Sequence, residues 1–204
     1  MNLTSMRSRV LATGAVVGAS AAIAGLGTFG TFSSSTSATQ SVSSGTVAIG
    51  LGTAGTATNR LTVGASNIAP GDTIQRQVQL SDTGTIGLAS IALTTTASPS
   101  SLLDTETTNG LQMTIQSCSV AWTEAGTSPA YTYTCPGTTG TVLASRAVIG
   151  SNITLPGLAA LNAGGVDHLL VTLTLPSSAT NTMQNQSSTI TYTFLGTQRA
   201  ATNQ

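Results

Sequence analysis

The stretch "VDHLLVTLTL" (Val166–Leu175) places Leu169, Val171, Leu173 and Leu175 on one side and His168, Thr172 and Thr174 on the other. That period of two belongs to a strand with one buried face, since a helix repeats at 3.6 residues. "STITYTFL" does the same with Ile190, Tyr192 and Phe194, and "DTIQRQVQL" sets Ile74, Arg76, Val78 and Leu80 against Gln75, Gln77 and Gln79. Arg76, set among apolar neighbours, predicts a position near a sheet edge. Further strands are expected at Thr46–Leu51, Arg60–Ala65, Ile86–Thr95, Leu111–Trp122, Tyr131–Cys135 and Ser151–Leu155. The turns between them are "NIAPGD", "SDTGT", "PGTTG" and "NAGG". Many short alternating strands point to an antiparallel sandwich or barrel. Helix is expected only as one Ser-capped turn in "SPSSLLDTET". In the strand from Leu111, the apolar residues Leu111, Met113 and Ile115 share one parity and Val120 and Trp122 the other, which predicts a bulge near Gln116 or Ser117.

Such a sheet is usually kept soluble by charge, and this chain has little. Of its 204 residues 6% are charged and 3% aromatic, with six arginines, no lysine, and six acids. Thr, Ser, Asn and Gln cover the surface instead, and β-branched Thr suits a pleated, half-wet face. No basic stripe exists to hold nucleic acid, and a net charge near zero leaves little repulsion between copies.

Arg7 and Arg9 precede the weakly apolar run Val10–Gly27, and small residues follow. This is the layout of a secretory signal spanning residues 1–30. The run is too diluted with Gly, Ser, Ala and Thr for a permanent membrane span, and no basic stop-transfer cluster follows it. Thr28 and Gly30 fall at the −3 and −1 positions of a cut between Gly30 and Thr31. The mature chain then keeps Arg60, Arg76, Arg146 and Arg199 against all six acids, a net charge of about −2. Residues 31–42 form a polar N-terminal extension and 43–204 the β domain.

Cys118 and Cys135 are the only cysteines, and an even count in an exported chain predicts a disulfide. The intervening segment reads as a hairpin; pairing Trp122 with Tyr131 sets Val120 opposite Tyr133 and Cys118 opposite Cys135. The closed loop contributes about 3 kcal/mol in the chain-entropy model. Catalytic chemistry is poorly supplied. One histidine, His168, is expected to be solvated on the outer strand face, and zinc needs two or three nitrogen or sulfur ligands. No GxSxG elbow accompanies Asp167, which points away from His168 on the same strand. Asp72, Asp82, Asp104, Glu106 and Glu124 read as solvated acids in turns and loops, and Asp104 with Glu106 supplies too few oxygens for calcium. Glycosidase carboxylates lack aromatic platforms, and "GLGTAGTA" lacks the Lys and helix of a phosphate cradle. No cofactor is expected.

Three stretches, in order, resemble the TasA/camelysin family of exported proteins that build biofilm matrix fibres. The first is Gly27–Leu51, with Gly27, Thr28, Phe29, Gly30 and Phe32 at the cut and Ser44, Gly45 and Thr46 opening a strand. The second is "NIAPGDTIQRQVQLSDTGTIGLASIALT" (Asn67–Thr94), and the third runs from Val166 through "NTMQNQSS" to Gln198. Gly30 stands where the family usually has Ala, and the Cys hairpin is a departure. The resemblance implies a jelly-roll-like antiparallel β-sandwich, cleavage by a signal peptidase of the SipW type, and no membrane anchor afterwards. It also implies head-to-tail self-assembly outside the cell, with the freed 31–42 segment added as a strand to a neighbour's sheet and Phe32 and Val42 as anchors. The resemblance also carries the reading of a surface metalloprotease of camelysin type; a monomeric surface or adhesin domain is a second alternative.

Overall fold

A computed structural model describes Gln40 and residues 43–202. The chain divides after Ser43, and the unit from Ser44 onward is described below. The expected cut between Gly30 and Thr31 and the expected anchors Phe32 and Val42 lie outside the described residues.

Ten strands and almost no helix make up this unit. They are β1 (Ile49–Leu51), β2 (Thr73–Asp82), β3 (Leu88–Ala97), β4 (Gln112–Cys118), β5 (Thr123–Thr127), β6 (Ala130–Thr134), β7 (Thr139–Ala147), β8 (Gly150–Thr154), β9 (Val166–Thr174) and β10 (Ile190–Gln198). Every pairing is antiparallel. One sheet has the order β1-β2-β9-β4-β7, a second β10-β3-β8, and β5-β6 stand apart as a hairpin. The expected helical turn is α1 (Leu102–Thr105), started by a reciprocal cap: Ser101 accepts from the Leu103 N–H while the Asp104 carboxylate takes the Ser101 N–H.

Period-two alternation determines which residues meet between the sheets. Val78 and Leu80 of β2, Met113 and Ile115 of β4, and Leu169 and Val171 of β9 are fully or almost fully buried. They face Ile91 and Leu93 of β3, Ile153 of β8, and the half-buried Tyr192 and Phe194 of β10. Burying each such side chain contributes about 1.5–3 kcal/mol, so the facing stripes are what hold the two sheets together.

Several expectations need correction. Residues 60–65 form no strand. A bridge joins Asn59 to Val78, and the Arg60 N–H bonds the Gln77 carbonyl before the chain turns away. Its Val63 and Gly64 carbonyls instead receive the guanidinium of Arg76, which is buried. Strand β7 went unforeseen because "TGTVLASRA" has no clean alternation, and its pairing with β4 shifts register twice. Those shifts lie between Met113 and Gln116 in the β4–β7 pairing, while β4 runs against β9 without a break to Cys118. The parity change in this region is a departure from the sheet at Ser119–Ala121, beyond which β5 begins.

The hairpin register also differs. Thr123 pairs with Thr134 and Thr127 with Ala130, which puts Tyr133 opposite Glu124 and Tyr131 opposite Gly126. Only Ser128 and Pro129 connect the strands, so the turn is tighter than the Gly/Ser/Pro run suggested. Cys118 belongs to β4, and the disulfide therefore ties the hairpin to the five-stranded sheet. Finally, His168 is half-buried: its carbonyl accepts the Trp122 indole N–H at 3.0 Å, and its Nδ1 is buried with no hydrogen-bond partner.

Candidate functional site

An antiparallel sandwich that is not closed has sheet edges, and edges are where another chain can add. Two of the four here are interrupted. β7 carries two register shifts and the exposed Arg146. β8 is five residues long, is shifted against β3, and holds Asn152 at φ 50°. A third edge, β1, is three residues long, and beyond it the chain follows β2 through Gly52 and Thr58–Arg60.

β10 is different. It is nine residues long, bonded to β3 along one side, and regular until Thr197–Gln198. Ile190, Tyr192 and Phe194 face the core yet are only half-buried, while Thr191, Thr193, Leu195 and Thr197 face outward, Leu195 at 57% exposure. None of these side chains is charged, and burial holds the Tyr192 phenol neutral by pushing its pKa upward. Among the described residues nothing pairs with the other side of this strand.

The N-terminal end of the unit is fastened close by. The Thr46 N–H donates to Thr85 Oγ1, the Thr46 carbonyl accepts from Thr85 and Ile86, and a side chain at Gly45 would run into Ile86. This is the physical content of the Ser-Gly-Thr motif. The loop it grips leads into Leu88, which pairs with Gln198 at the end of β10, and Gly196 packs beside Ile49. Residues 45–46 are thus fastened on the side of the sandwich that bears the open edge.

A second cluster lies on the outer face of the five-stranded sheet. Trp122, Cys118 and Leu170 are buried together against Tyr133 and Cys135, and the Cys118–Cys135 disulfide spans a Cα separation of 5.7 Å. Glu124 takes two bonds from the Arg60 guanidinium, at 2.6 and 2.9 Å, and one from the Tyr133 hydroxyl at 2.8 Å. The Arg60 bonds hold the Glu124 carboxyl below its ordinary range, whereas burial, then the bond to Glu124, pushes the Tyr133 phenol up to about 12. Arg60 also lies 4.5 Å from the centre of the Tyr131 ring. Sequence reasoning placed Cys118 and Cys135 together but missed the Arg60–Glu124 pair, because residues 64 apart in sequence carry no local signal.

The other candidates do not converge. Asp104 is buried, and burial pushes its pKa up; the hydroxyls of Ser100 and Ser188 and the Ser101 N–H outweigh this and hold it low. Glu106 turns instead to the Thr108 N–H. Asp167 faces the core, away from His168, and holds the Ala159 and Ala160 N–H groups. Among the described residues no three His, Cys, Asp or Glu side chains gather in one place, and no helix is long and apolar enough to cross a membrane.

No curated protein matches the chain. A family model does, over residues 8–203, which spans all the elements described above and nearly the whole sequence. The chain belongs to the camelysin metallo-endopeptidase family.

Proposed function

We propose that this is an exported structural protein that polymerises head to tail outside the cell. Residues 1–30 direct export and are removed between Gly30 and Thr31 by a peptidase of the SipW type. The freed segment 31–42 then lies along β10 of a neighbouring copy, with Phe32 and Val42 against the half-covered stripe of Ile190, Tyr192 and Phe194. The observation that carries this reading is the uncharged, nine-residue open edge of β10. Twelve extended residues reach about 40 Å, enough to cover a nine-residue strand of about 30 Å. Backbone bonds supply affinity and the buried side chains set register. A head-to-tail contact that does not close produces filaments.

The family's name carries a metal and a peptidase activity. Its chemistry needs about three protein ligands and an open position for water. The described residues offer one histidine, a cysteine pair spent in a disulfide, and acids on different elements, so they do not fit that metal. A casein digest with and without chelator tests this point. The fibre reading is tested by deleting 31–42: the truncated protein stays folded and monomeric, and filaments from it in electron micrographs would refute the donor role. A protein that stays monomeric with its extension intact is a solitary surface domain.

A further inference from the structure

The β5–β6 hairpin closes over polar groups that it does not satisfy. Gln77 on β2 pairs with Leu170, and His168 on β9 pairs with Cys118, so all four side chains share the outer face on which the hairpin lies. β6 packs on β2, and the Trp122 indole N–H bonds the His168 carbonyl at 3.0 Å. Gln77 is 3% exposed and its Oε1 is buried with no hydrogen-bond partner; His168 Nδ1 is in the same position. Among the described residues only one other buried side-chain atom, Asp82 Oδ2, lacks a partner. Each group gives up water when the hairpin docks and regains it when the hairpin lifts, so both oppose docking.

What holds the hairpin down is small. Its buried apolar contact is Trp122 against Leu170 and Cys118, with Tyr133 and Cys135 at the margin. The Arg60–Glu124 pair adds a link, but each of those side chains is 17% exposed, and a wet ion pair contributes little. A two-stranded hairpin is marginal by itself in water. Its legs, residues 119–121 and 136–138, are exposed, and at the base the Ser119 N–H bonds the Thr138 carbonyl at 3.0 Å. The remaining tie is covalent: Cys118, fixed in β4 and 4% exposed, holds the half-buried Cys135.

We propose that the hairpin is a redox-latched flap: a dithiol reductant opens the Cys118–Cys135 bond, and the hairpin lifts about its base and bares Trp122, Leu170, Gln77 and His168 while both sheets stay folded. A reductant thiolate attacks the more exposed Cys135 sulfur, and Cys118 leaves as a thiolate. The second reductant thiol then displaces Cys135 and closes the reagent's own disulfide. Two electrons pass from the dithiol to the cysteines, and its two protons end on their sulfurs. Because the base still joins the legs, only part of the loop-closure entropy is regained. The flap is independent of the fibre reading, since it lies on the outer face of the other sheet from β10.

The test compares the oxidised and reduced full chain in native buffer by hydrogen exchange, and follows alkylation of Cys118 by iodoacetamide. Reduction speeds exchange of the β5 and β6 amides about tenfold or more and leaves β2, β3 and β9 as they were. Cys118 is alkylated while those strands stay protected. Gln77→Met removes an unpaired acceptor at similar length, and slows that alkylation about tenfold. Glu124→Gln breaks the pair with Arg60 and speeds it about twofold or more. The proposal is overturned if the hairpin amides exchange equally fast in both redox states, or if Cys118 reacts only when β9 exchanges as well. It is equally overturned if neither variant changes the alkylation rate.

Discussion

Replacing Cys118 and Cys135 with serine separates two parts of the molecule that normally unfold together. The hairpin does not share the main core: it rests on Trp122, Cys118 and Leu170, with Tyr133 and Cys135 at the margin. The bridge spans 17 residues of chain. Closing a loop of that length removes unfolded-state entropy equivalent to about 3 kcal/mol. For a domain of about 160 residues this corresponds to a fall in Tm of about 6–12 °C if the whole unit depends on the link. The small cluster predicts something more specific, that most of the loss is local. Trp122 is the chain's single tryptophan and is 8% exposed against Leu170, so its emission reports the docking of the hairpin on the sheet, while circular dichroism reports the sandwich. In the parent the two urea transitions coincide. In the double serine variant the fluorescence transition moves to lower urea by the full 3 kcal/mol and the dichroism transition by much less. Coincident transitions at the parental midpoint would show that the hairpin is held by its packing, and the entropy argument would fail.

Acid releases the hairpin in a predictable direction. The folded Glu124 carboxyl lies below 4.5, so its stabilisation is complete above the unfolded value and fades as pH falls through the folded one; Glu124→Gln removes that dependence from a Trp122 emission titration. In alkali the neutral Tyr133 phenol contributes below its unfolded value of 10.0, and that contribution is lost as pH rises towards about 12, so Tyr133→Phe removes the step near pH 12 from the tyrosinate absorbance. Thr95 is 1% exposed, donates to the Val148 carbonyl at 2.6 Å and accepts from the Gly150 N–H at 2.9 Å; Thr95→Val leaves both unpaired and costs about 1–3 kcal/mol by chemical denaturation.

The strands with clean alternation were legible because one face of each is buried and the other wet. β2, β9 and β10 follow from Val78 and Leu80, Leu169 and Val171, and Tyr192 and Phe194. β7 was not legible, since an exposed, bulged edge strand imposes no such demand on its residues. Leu170 shows the limit of the same rule. It is polar-facing by parity, yet it is 2% exposed because a hairpin from elsewhere in the chain covers it. The acids were misread for a related reason: a carboxylate in "SDTGT" looks like turn chemistry, and Asp82 does bond Gly84, but its burial depends on loops around 46 and 165 that local sequence does not reveal. The cysteine pair was found by counting and its register missed, because the departure at Ser119–Ala121 is a tertiary event.

Natural sheets protect long edges with charge, proline or bulges, and the three other edges here are each short or irregular. β10 carries no charge or proline and is irregular only at Thr197–Gln198, in a chain without lysine. An unprotected edge is either a hazard or a joint, and the two differ in what a charge placed there does. Thr193→Lys with Leu195→Lys puts two positive charges on outward positions of β10, where Thr193 faces Thr94 and Leu195 faces Ala92 across the sheet. Both side chains are exposed, so the monomer loses at most about 0.5 kcal/mol at each. Pairing of a second strand beside them must desolvate those charges, and filament growth followed by light scattering slows sharply or stops. The same charge at the exposed Thr154 on β8 leaves growth unchanged. Filaments that form at parental rates from the β10 variant, or that are lost with the β8 variant instead, would place the joint on a different edge.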